Sequence, residues 1–362
     1  MKTNLKSLSN KALKDFIIAS GQKSFRANQI NEWIYTKYAS SINEMSDLSL
    51  DFRDQLSKTA FISLPHLVTL RKSKDGTTKF LLEMQDGQRV ESVLLPNSIG
   101  NHKYTLCISS QAGCAMGCIF CTTGAGGLKR NLQAHEIVDQ FIMAKKHVAN
   151  KSDRAAVTNI VFMGMGEPFA NFTNLTEAIS RITKLMHFSK KRITVSTCGI
   201  APHIYDLMQS TPGINLAVSL NATTDSIRDL IMPINKKYPL KELLKACQNL
   251  KLQSQQHITF EYIMLKNIND SPKDAHRLVL LLKGIRAKVN LIPFNKSCLI
   301  DLSENYCNKT PSEKILIQPS SRNQMLLFQE VLLGAGIKTL IRKSRGSDIA
   351  AACGQLAAEN TI

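Results

Sequence analysis

Cys107, Cys114, Cys118 and Cys121 lie within the fifteen residues CISSQAGCAMGCIFC and account for four of the chain's nine cysteines. The last three are spaced CxxxCxxC. Three soft thiolates on one short loop can bind a metal or support redox chemistry. A structural zinc site takes four ligands, commonly in CxxC pairs, and no second pair follows in this sequence. A cubane iron–sulfur cluster is held by thiolates, normally four. With only three, one iron is left open to bind something else. A zinc or ferredoxin-like loop is the alternative. An odd and clustered cysteine count also argues against a secreted disulfide framework and for a cytosolic metal or redox site.

Other polar motifs recur along the chain, each closing an apolar, β-rich run. GMGEP (164–168) follows VTNIVF, STCG follows RITV, SLNA follows INLAV, and PFN follows KVNLI. With YTLCISS and HITFEYIML these make six strand candidates. Helical patterns such as AHEIVDQFIMAKKHV, LTEAISRITKLM, LKELLKACQNLKL and PKDAHRLVLLLKG lie between most of them. Six βα units without sequence repeats predict an α/β fold with a parallel sheet closed or part-closed as a barrel, a partial (β/α)6 arrangement. Chemistry in such folds gathers at the C-terminal ends of the strands. The cysteine loop and the marked motifs fall there.

Upstream, residues 1–60 read as helices, with apolar spacing of three and four in KALKDFIIAS and FRANQINEWIYTK. Residues 66–95 switch to HLVTLRK, TKFLLEM and RVESVLL, joined by KDG and QDG turns that suit antiparallel hairpins. The expected organisation is an accessory unit over 1–95, a core over 100–345 with an insertion at 296–319, and a C-terminal segment over 346–362. No apolar run approaches the ~20 residues of a membrane span. A Lys- and Ser-rich N-terminus leaves an organellar transit peptide as the competing reading to folded protein. Net charge is +18, from 46 basic and 28 acidic residues. That excess favours a polyanionic partner, RNA or DNA, through phosphate contacts.

CxxxCxxC with Phe120 just before the last cysteine resembles the signature of radical S-adenosylmethionine (SAM) enzymes, whose fold is a partial barrel. The resemblance implies a 4Fe–4S cluster on Cys114, Cys118 and Cys121, with SAM chelated at the open iron. One electron then cleaves the sulfonium to a 5′-deoxyadenosyl radical. The motifs CISSQAGCAMGCIFC, FMGMGEP, ITVSTCGI, IMPIN, EYIML, VNLIPFN and RGSDIAAACGQL together resemble the RlmN/Cfr adenosine methyltransferases. Membership implies that Cys353 takes a methyl from one SAM and that a second SAM supplies the radical which abstracts hydrogen from it. The methylene radical then adds to adenine. Cys107 corresponds to the partner thiol that closes a transient disulfide with Cys353, and Glu91 to the proton acceptor. SAM contacts are implied for Gly166, Glu167, Ser196, Ser219, Leu220, Asn221 and Asn295. Each has a plain reading as well. Cys353 could be a small core residue on a helix, Cys107 a core residue at the start of a strand, and Glu91 a solvent-facing strand carboxylate. Cys198, Cys247, Cys298 and Cys307 read as structural.

The sequence departs from the family pattern twice. Asn221 stands where the family usually has His; Asn donates and accepts but does not titrate. The Pro/Gly-rich segment usual after PFN is replaced by the 296–319 insertion. IRKSRGSDI resembles the RlmN type, which methylates carbon 2. GLKRNL leans toward the Cfr type, which methylates carbon 8 and confers antibiotic resistance. The RlmN resemblance implies action on 23S rRNA and tRNA, an electron donor such as flavodoxin or ferredoxin, a monomer and a cytoplasmic location. Lys129–Arg130, Lys190–Arg192 and Arg342–Arg345 are candidate phosphate contacts. A non-catalytic iron–sulfur RNA-binding protein is the reading from another class.

Overall fold

The fold is a computed structural model that describes residues 2–98, 102–152, 154–295 and 317–358. Most of the expected insertion, with Cys298 and Cys307, lies outside the described residues. Ten strands form one sheet: β1 (His66–Lys72), β2 (Thr78–Glu83), β3 (Arg89–Pro96), β4 (Lys103–Cys107), β5 (Ala156–Phe162), β6 (Ile193–Thr197), β7 (Asn215–Ser219), β8 (Ile258–Met264), β9 (Ala287–Pro293) and β10 (Lys338–Ile341). Their spatial order follows the sequence, from β1 at one edge to β10 at the other. β4 to β10 are parallel. β1 to β3 continue the same sheet antiparallel, with Val93 of β3 opposite Cys107 of β4. The expected six βα units are therefore present, extended by β10, and no pairing among the described residues closes the sheet into a full barrel.

Register sorts the side chains onto two faces. Leu106, Ile160 and Ile193 stand in one row, and Phe260 opposite Val289 in another. All five are at most 1% exposed. They join a core with Phe141 of α4 (Ala134–Ala149, counting α1 as Asn10–Ala19, α2 as Arg26–Tyr35 and α3 as Leu50–Thr59), and with Ile182 of α5 (Phe172–Lys184). Further on, α6 (Pro202–Ser210), α8 (Leu240–Gln248), α9 (Pro272–Leu281) and α10 (Arg322–Gly334) add Leu207, Leu243, Leu278 and Phe328 to it. The opposite face carries Cys107, Val161, Thr194 and Asn215 in one row, and Ser219, Glu261 and Asn290 in another. The alternation thus gives one side of β4 to β9 a largely polar row.

The helical patterns of α4, α5, α8 and α9 match the sequence reading. α6 and α7 (Asp225–Ile231) were not anticipated. Pro202 starts α6 in the first-turn position that tolerates it, and Thr224 caps α7 by accepting from the Ile227 amide.

Buried charge joins the N-terminal segment to the core. Lys6 pairs with Asp139 of α4 and donates to the Ser63 carbonyl at 2.9 Å. Arg181 of α5 donates to the Lys6 and Leu8 carbonyls, to the Tyr35 hydroxyl at 3.0 Å and to Glu177 at 2.7 Å. Arg181→Ala should lower the unfolding free energy by about 3 kcal/mol, because it orphans buried carbonyls. Glu177→Ala, on the exposed side of the same guanidinium, should cost no more than about 1 kcal/mol. Urea denaturation of the two variants checks the contrast.

Candidate active site

The chain leaves β4 at Cys107, so this cysteine ends its strand rather than beginning it, and its side chain is buried on the concave side. Gln111–Gly113 then pairs with Leu128–Asn131 and pinches off the loop between them. At Gly113, φ is +78° and a Cβ would sit 2.0 Å from the Gly127 carbonyl oxygen, so only glycine fits the neck. The Cys114 amide donates to Gly127 and the Cys121 amide to Cys118. Burial pushes the Cys114 thiol up to about 12 and the Cys118 thiol well above its ordinary value, and the neighbouring thiols add to both. Three thiols in one electrostatic neighbourhood ionise together only beside compensating positive charge. Among the described residues no three His, Cys, Asp or Glu side chains converge as for a single ion. A cubane binds its thiolates at separate iron corners, so this spread-out, single-loop donor set fits a cluster better than a mononuclear centre.

GMGEP packs directly on this strand. A Cβ on Gly164 would meet the Ile108 backbone at 2.7 Å, and one on Gly166 (φ +94°) would meet Gln111 Cβ at 2.5 Å. Glu167 is buried, and its carboxylate accepts from the Phe169 amide at 2.9 Å and the Cys198 amide at 2.7 Å. Burial pushes it up, and those amides oppose the shift. It ties GMGEP to STCG. Ser196 and Ser219 are half-buried at the ends of β6 and β7. Leu220 is fully buried, with its amide bonded to the Glu261 carbonyl. Asn221 adopts a left-handed φ of +58°, which Asn tolerates better than most residues. Its Oδ1 accepts from the Ile263 amide at 2.9 Å, so that oxygen is engaged within the protein.

Arg228 of α7 was not singled out in the sequence. It is fully buried and donates to the carbonyls of Leu220 (3.0 Å), Cys198 (2.7 Å) and Ser219 (3.1 Å) and to Asn235 (2.9 Å). One guanidinium therefore fastens the STCG, SLN and IMPIN loops. It also lies within electrostatic reach of Cys118. A buried Arg after a capping Thr is the only sequence signal, and it does not distinguish this residue from a surface arginine on a short helix.

The C-terminal segment lies across the site. Cys353 is exposed and follows a short turn over Ser347–Ile349, so it is not on a helix. Desolvation by surrounding protein nevertheless pushes its thiol up. Its carbonyl accepts from Asn295 at 3.3 Å, and the Gly354 carbonyl accepts from the Thr122 amide at 2.8 Å. Thr123 donates to Leu356 at 2.6 Å. The segment is thus bound to the loop that carries Cys121. On its other side Glu91 is 2% exposed, which corrects the solvent-facing reading. It pairs with Lys79 at 2.8 Å and accepts from the Ala357 amide at 2.9 Å. Cys107 and Cys353 are both free thiols, so no disulfide joins them here. They lie within electrostatic reach of each other, and burial followed by Cys353 pushes the Cys107 thiol up to about 12.

Comparison with known proteins gives this arrangement a family. Residues 3–62 match the Ribosomal RNA large subunit methyltransferase N-terminal domain, and residues 108–279 match the Radical SAM superfamily. The chain is 45% identical over 357 residues to a protein of Geotalea uraniireducens named Dual-specificity RNA methyltransferase RlmN, covering 98% of this chain and 96% of that one. A protein of the same name from Geobacter sulfurreducens is 45% identical over 98% of this chain and 91% of its own. The crystal structure of a radical SAM methyltransferase from Sphaerobacter thermophilus superposes with a TM-score of 0.87 at 36% identity, covering 99% of this chain and 100% of that one. The chain belongs to the RlmN family.

As a radical SAM methyltransferase of this family it uses a 4Fe–4S cluster and SAM. The basic residues divide in a way the sequence could not show. Arg130 is held by Asp86 and Glu136, and Arg345 donates to the Pro96 carbonyl, so both serve the RlmN fold internally. Lys129, Lys191, Arg192, Arg342 and Lys343 are exposed.

Gly354 has φ +83°, and a Cβ there would approach the Phe120 carbonyl to 2.9 Å. Gly354→Ala should detach the segment from the cluster loop while the sheet stays folded. Amide exchange at Thr122 and Ala357 should quicken by about tenfold, equivalent to about 1.4 kcal/mol, with the exchange of β6 to β9 unchanged.

Proposed function

We propose that this chain methylates carbon 2 of an adenosine in 23S rRNA and of the adenosine 3′ of the tRNA anticodon, through S-methylation of Cys353 and a transient protein–RNA adduct. The observation that carries the reading is Cys353 itself, exposed on a segment bonded to the cysteine loop and within electrostatic reach of Cys107. A structural cysteine among alanines would be buried. The full-length similarity to proteins named as dual-specificity RNA methyltransferases supports the two RNA classes. The exposed basic residues suit phosphate contacts. A cytoplasmic location, a monomer and a flavodoxin- or ferredoxin-type electron donor complete the proposal.

In this reading Cys114, Cys118 and Cys121 hold the cluster. Gly166, Glu167, Ser196, the Ser219–Asn221 turn and Asn295 surround SAM. Cluster and SAM together supply one-electron cleavage and a hydrogen-abstracting species when bound. Carbon 2 of adenine is a poor nucleophile, so the methyl carbon is first parked on Cys353. After it joins the ring, the radical adduct must lose one electron as well as one proton: the bound cluster would take back the electron, and Glu91 takes the proton that must leave carbon 2. In the present state both Glu91 oxygens are engaged, one by Lys79 and one by the Ala357 amide. Withdrawal of the 346–357 segment frees the second oxygen. The sulfur–carbon link is then released when the Cys107 sulfur attacks Cys353 sulfur, which leaves a disulfide and the methylated base.

Incubation of the reconstituted protein with rRNA or tRNA fragments, SAM and reductant should yield 2-methyladenosine by mass spectrometry. One S-adenosylhomocysteine and one 5′-deoxyadenosine plus methionine should accompany each methyl group. 8-Methyladenosine would indicate the Cfr-type reaction, and absence of any modified base would leave a non-catalytic iron–sulfur RNA-binding protein. Cys118→Ala should lose iron binding. Cys107→Ala should stall with RNA covalently attached through Cys353, and Cys353→Ala should trap no RNA. Normal turnover by Cys107→Ala would remove Cys107 from the reaction.

A further inference from the structure

Lys79 of β2 is a buried cation to which nothing so far assigns a part. It is 6% exposed and stands opposite Val93 of β3, which in turn stands opposite Cys107 of β4. Glu91, two residues before Val93, is its diagonal neighbour on the same face. Lys79 Nζ lies 2.8 Å from Glu91 Oε1 and donates to the Ala350 carbonyl at 3.2 Å. Glu91 Oε2 accepts from the Ala357 amide at 2.9 Å. The ion pair therefore offers the C-terminal segment one donor and one acceptor, on either side of Cys353. Ala350 is left-handed, with φ +50°, a conformation that is uncommon for a residue other than glycine, and its carbonyl is the one that Lys79 holds. The main chain of Glu91 is fixed as well, since its carbonyl accepts from the Ser109 hydroxyl at 2.6 Å. Arg89, the next cation along this face of β3, is engaged by Glu83 at 2.7 Å. Among the described residues Lys79 is thus the one cation paired with Glu91.

We propose that Lys79 is the positioning residue for Glu91 when carbon 2 loses its proton, an inference that rests on the proton-acceptor reading of Glu91 given above. A buried carboxylate stripped of its counter-charge takes up a proton and can then accept no other. Lys79 supplies that counter-charge and holds Oε1, so Oε2 is the oxygen turned to the segment. When the segment lifts, Lys79 gives up the Ala350 carbonyl and Oε2 gives up the Ala357 amide. The Lys79–Glu91 pair itself stays, because both residues belong to the sheet. The carboxylate then has one oxygen held and one open. The carbon 2–hydrogen bond breaks with its electron pair left in the ring. One electron of the adduct returns to the bound cluster, and the proton goes to Oε2 and later to solvent. Lys79 makes and breaks no covalent bond; it acts through Glu91.

Lys79→Met, Lys79→Gln, Glu91→Gln and the double variant Lys79→Met/Glu91→Gln test this on the reconstituted holoenzyme. The RNA fragment carries deuterium at carbon 2 of the target adenosine. Lys79→Gln keeps a donor for the Ala350 carbonyl without the charge, and is read beside Lys79→Met in case the apolar side chain prevents folding. Two quantities are measured: the rate of 2-methyladenosine formation, and the deuterium content of the Cys353–RNA adduct by mass spectrometry. Both Lys79 variants should form 2-methyladenosine about a hundredfold more slowly. They should accumulate an adduct whose carbon 2 keeps its deuterium, as Glu91→Gln should. The Cys107→Ala adduct should have lost it, which marks a block after the proton step. The double variant should be within threefold of Glu91→Gln alone, because residues that act as one unit do not add. A merely structural loss would lower the amount of adduct without retaining deuterium in it, and would add to the loss in Glu91→Gln. The inference is overturned if the Lys79 variants form 2-methyladenosine within threefold of the unaltered rate, or slow down with no deuterium-retaining adduct. A double variant more than threefold slower than Glu91→Gln, or failure of both Lys79 variants to fold, overturns it too. If Glu91→Gln itself turns over normally, the proton-acceptor reading falls and this inference with it.

Discussion

A guanidinium buried without a carboxylate partner is costly unless its donors are matched one by one. Arg228 meets that condition with carbonyls from the ends of two strands, through Cys198 and through Ser219 and Leu220, and with the Asn235 side chain. The loops after β6 and β7 and the turn after α7 are therefore held at fixed distances from one cation. Gly199 belongs to the same solution, since a Cβ there would stand 3.0 Å from the guanidinium. The cysteine loop benefits electrostatically. Cys118 is raised by Cys121, Cys114 and Glu167, and Arg228 is the charge that opposes them. A site that gathers three thiols and a buried glutamate needs a positive centre in its wall, and the fold supplies it from the backbone side.

The C-terminal segment solves a different problem. In the proposed reaction Cys353 would be presented to two partners in turn, SAM and the RNA base, which calls for support that is firm without being permanent. The anchors are numerous but individually modest. Asp348 accepts from Ser73 and Asp75 accepts from the Gly346 amide on the β1–β2 turn, and Thr122 and Thr123 donate to the segment from the cysteine loop. Each such bond contributes about 1 kcal/mol net. A set of exchangeable hydrogen bonds, with few large side chains keyed into the core, can be released together by the arrival of a polyanion. Gly346 and Gly354, both in left-handed conformations, mark the two ends of the stretch that carries Cys353.

The cysteine loop and the strand-end motifs were legible in the sequence because their meaning is local. Spacing of thiols, a glycine beside a strand and an alternating apolar run all act within a few residues. The six parallel strands β4 to β9 were read for the same reason. Features fixed by register across the sheet were not legible. Glu91 looked like a surface carboxylate because its strand alternates, and only the pairing of β3 with β4 turns that side of the strand into the site. Arg228 was missed because an Arg on a short helix is ordinary until the carbonyls at the ends of β6 and β7 surround it. Arg130 and Arg345 erred in the opposite direction. Their charge suggested RNA, and their actual partners are an acidic pair and a backbone carbonyl.

The same register accounts for the state of the Cys107 thiol. Cys107 sits at the end of a central strand, walled by protein, and its thiol is raised to about 12. At neutral pH it is overwhelmingly the protonated thiol. Thiol–disulfide exchange proceeds through the thiolate, so an idle Cys107 and Cys353 resist joining even though they lie within electrostatic reach. In the proposed reaction a disulfide closed too early would block the methyl acceptor, so burial of Cys107 would protect the pair during methylation and would have to be relieved for the exchange that releases the base. Movement of the 346–357 segment would remove the Cys353 contribution to the raised Cys107 thiol, which is second to burial, and would free Glu91 from the Ala357 amide. In the proposed reaction the hydrogen-bonded segment would thereby couple the order of the chemical steps to a single displacement.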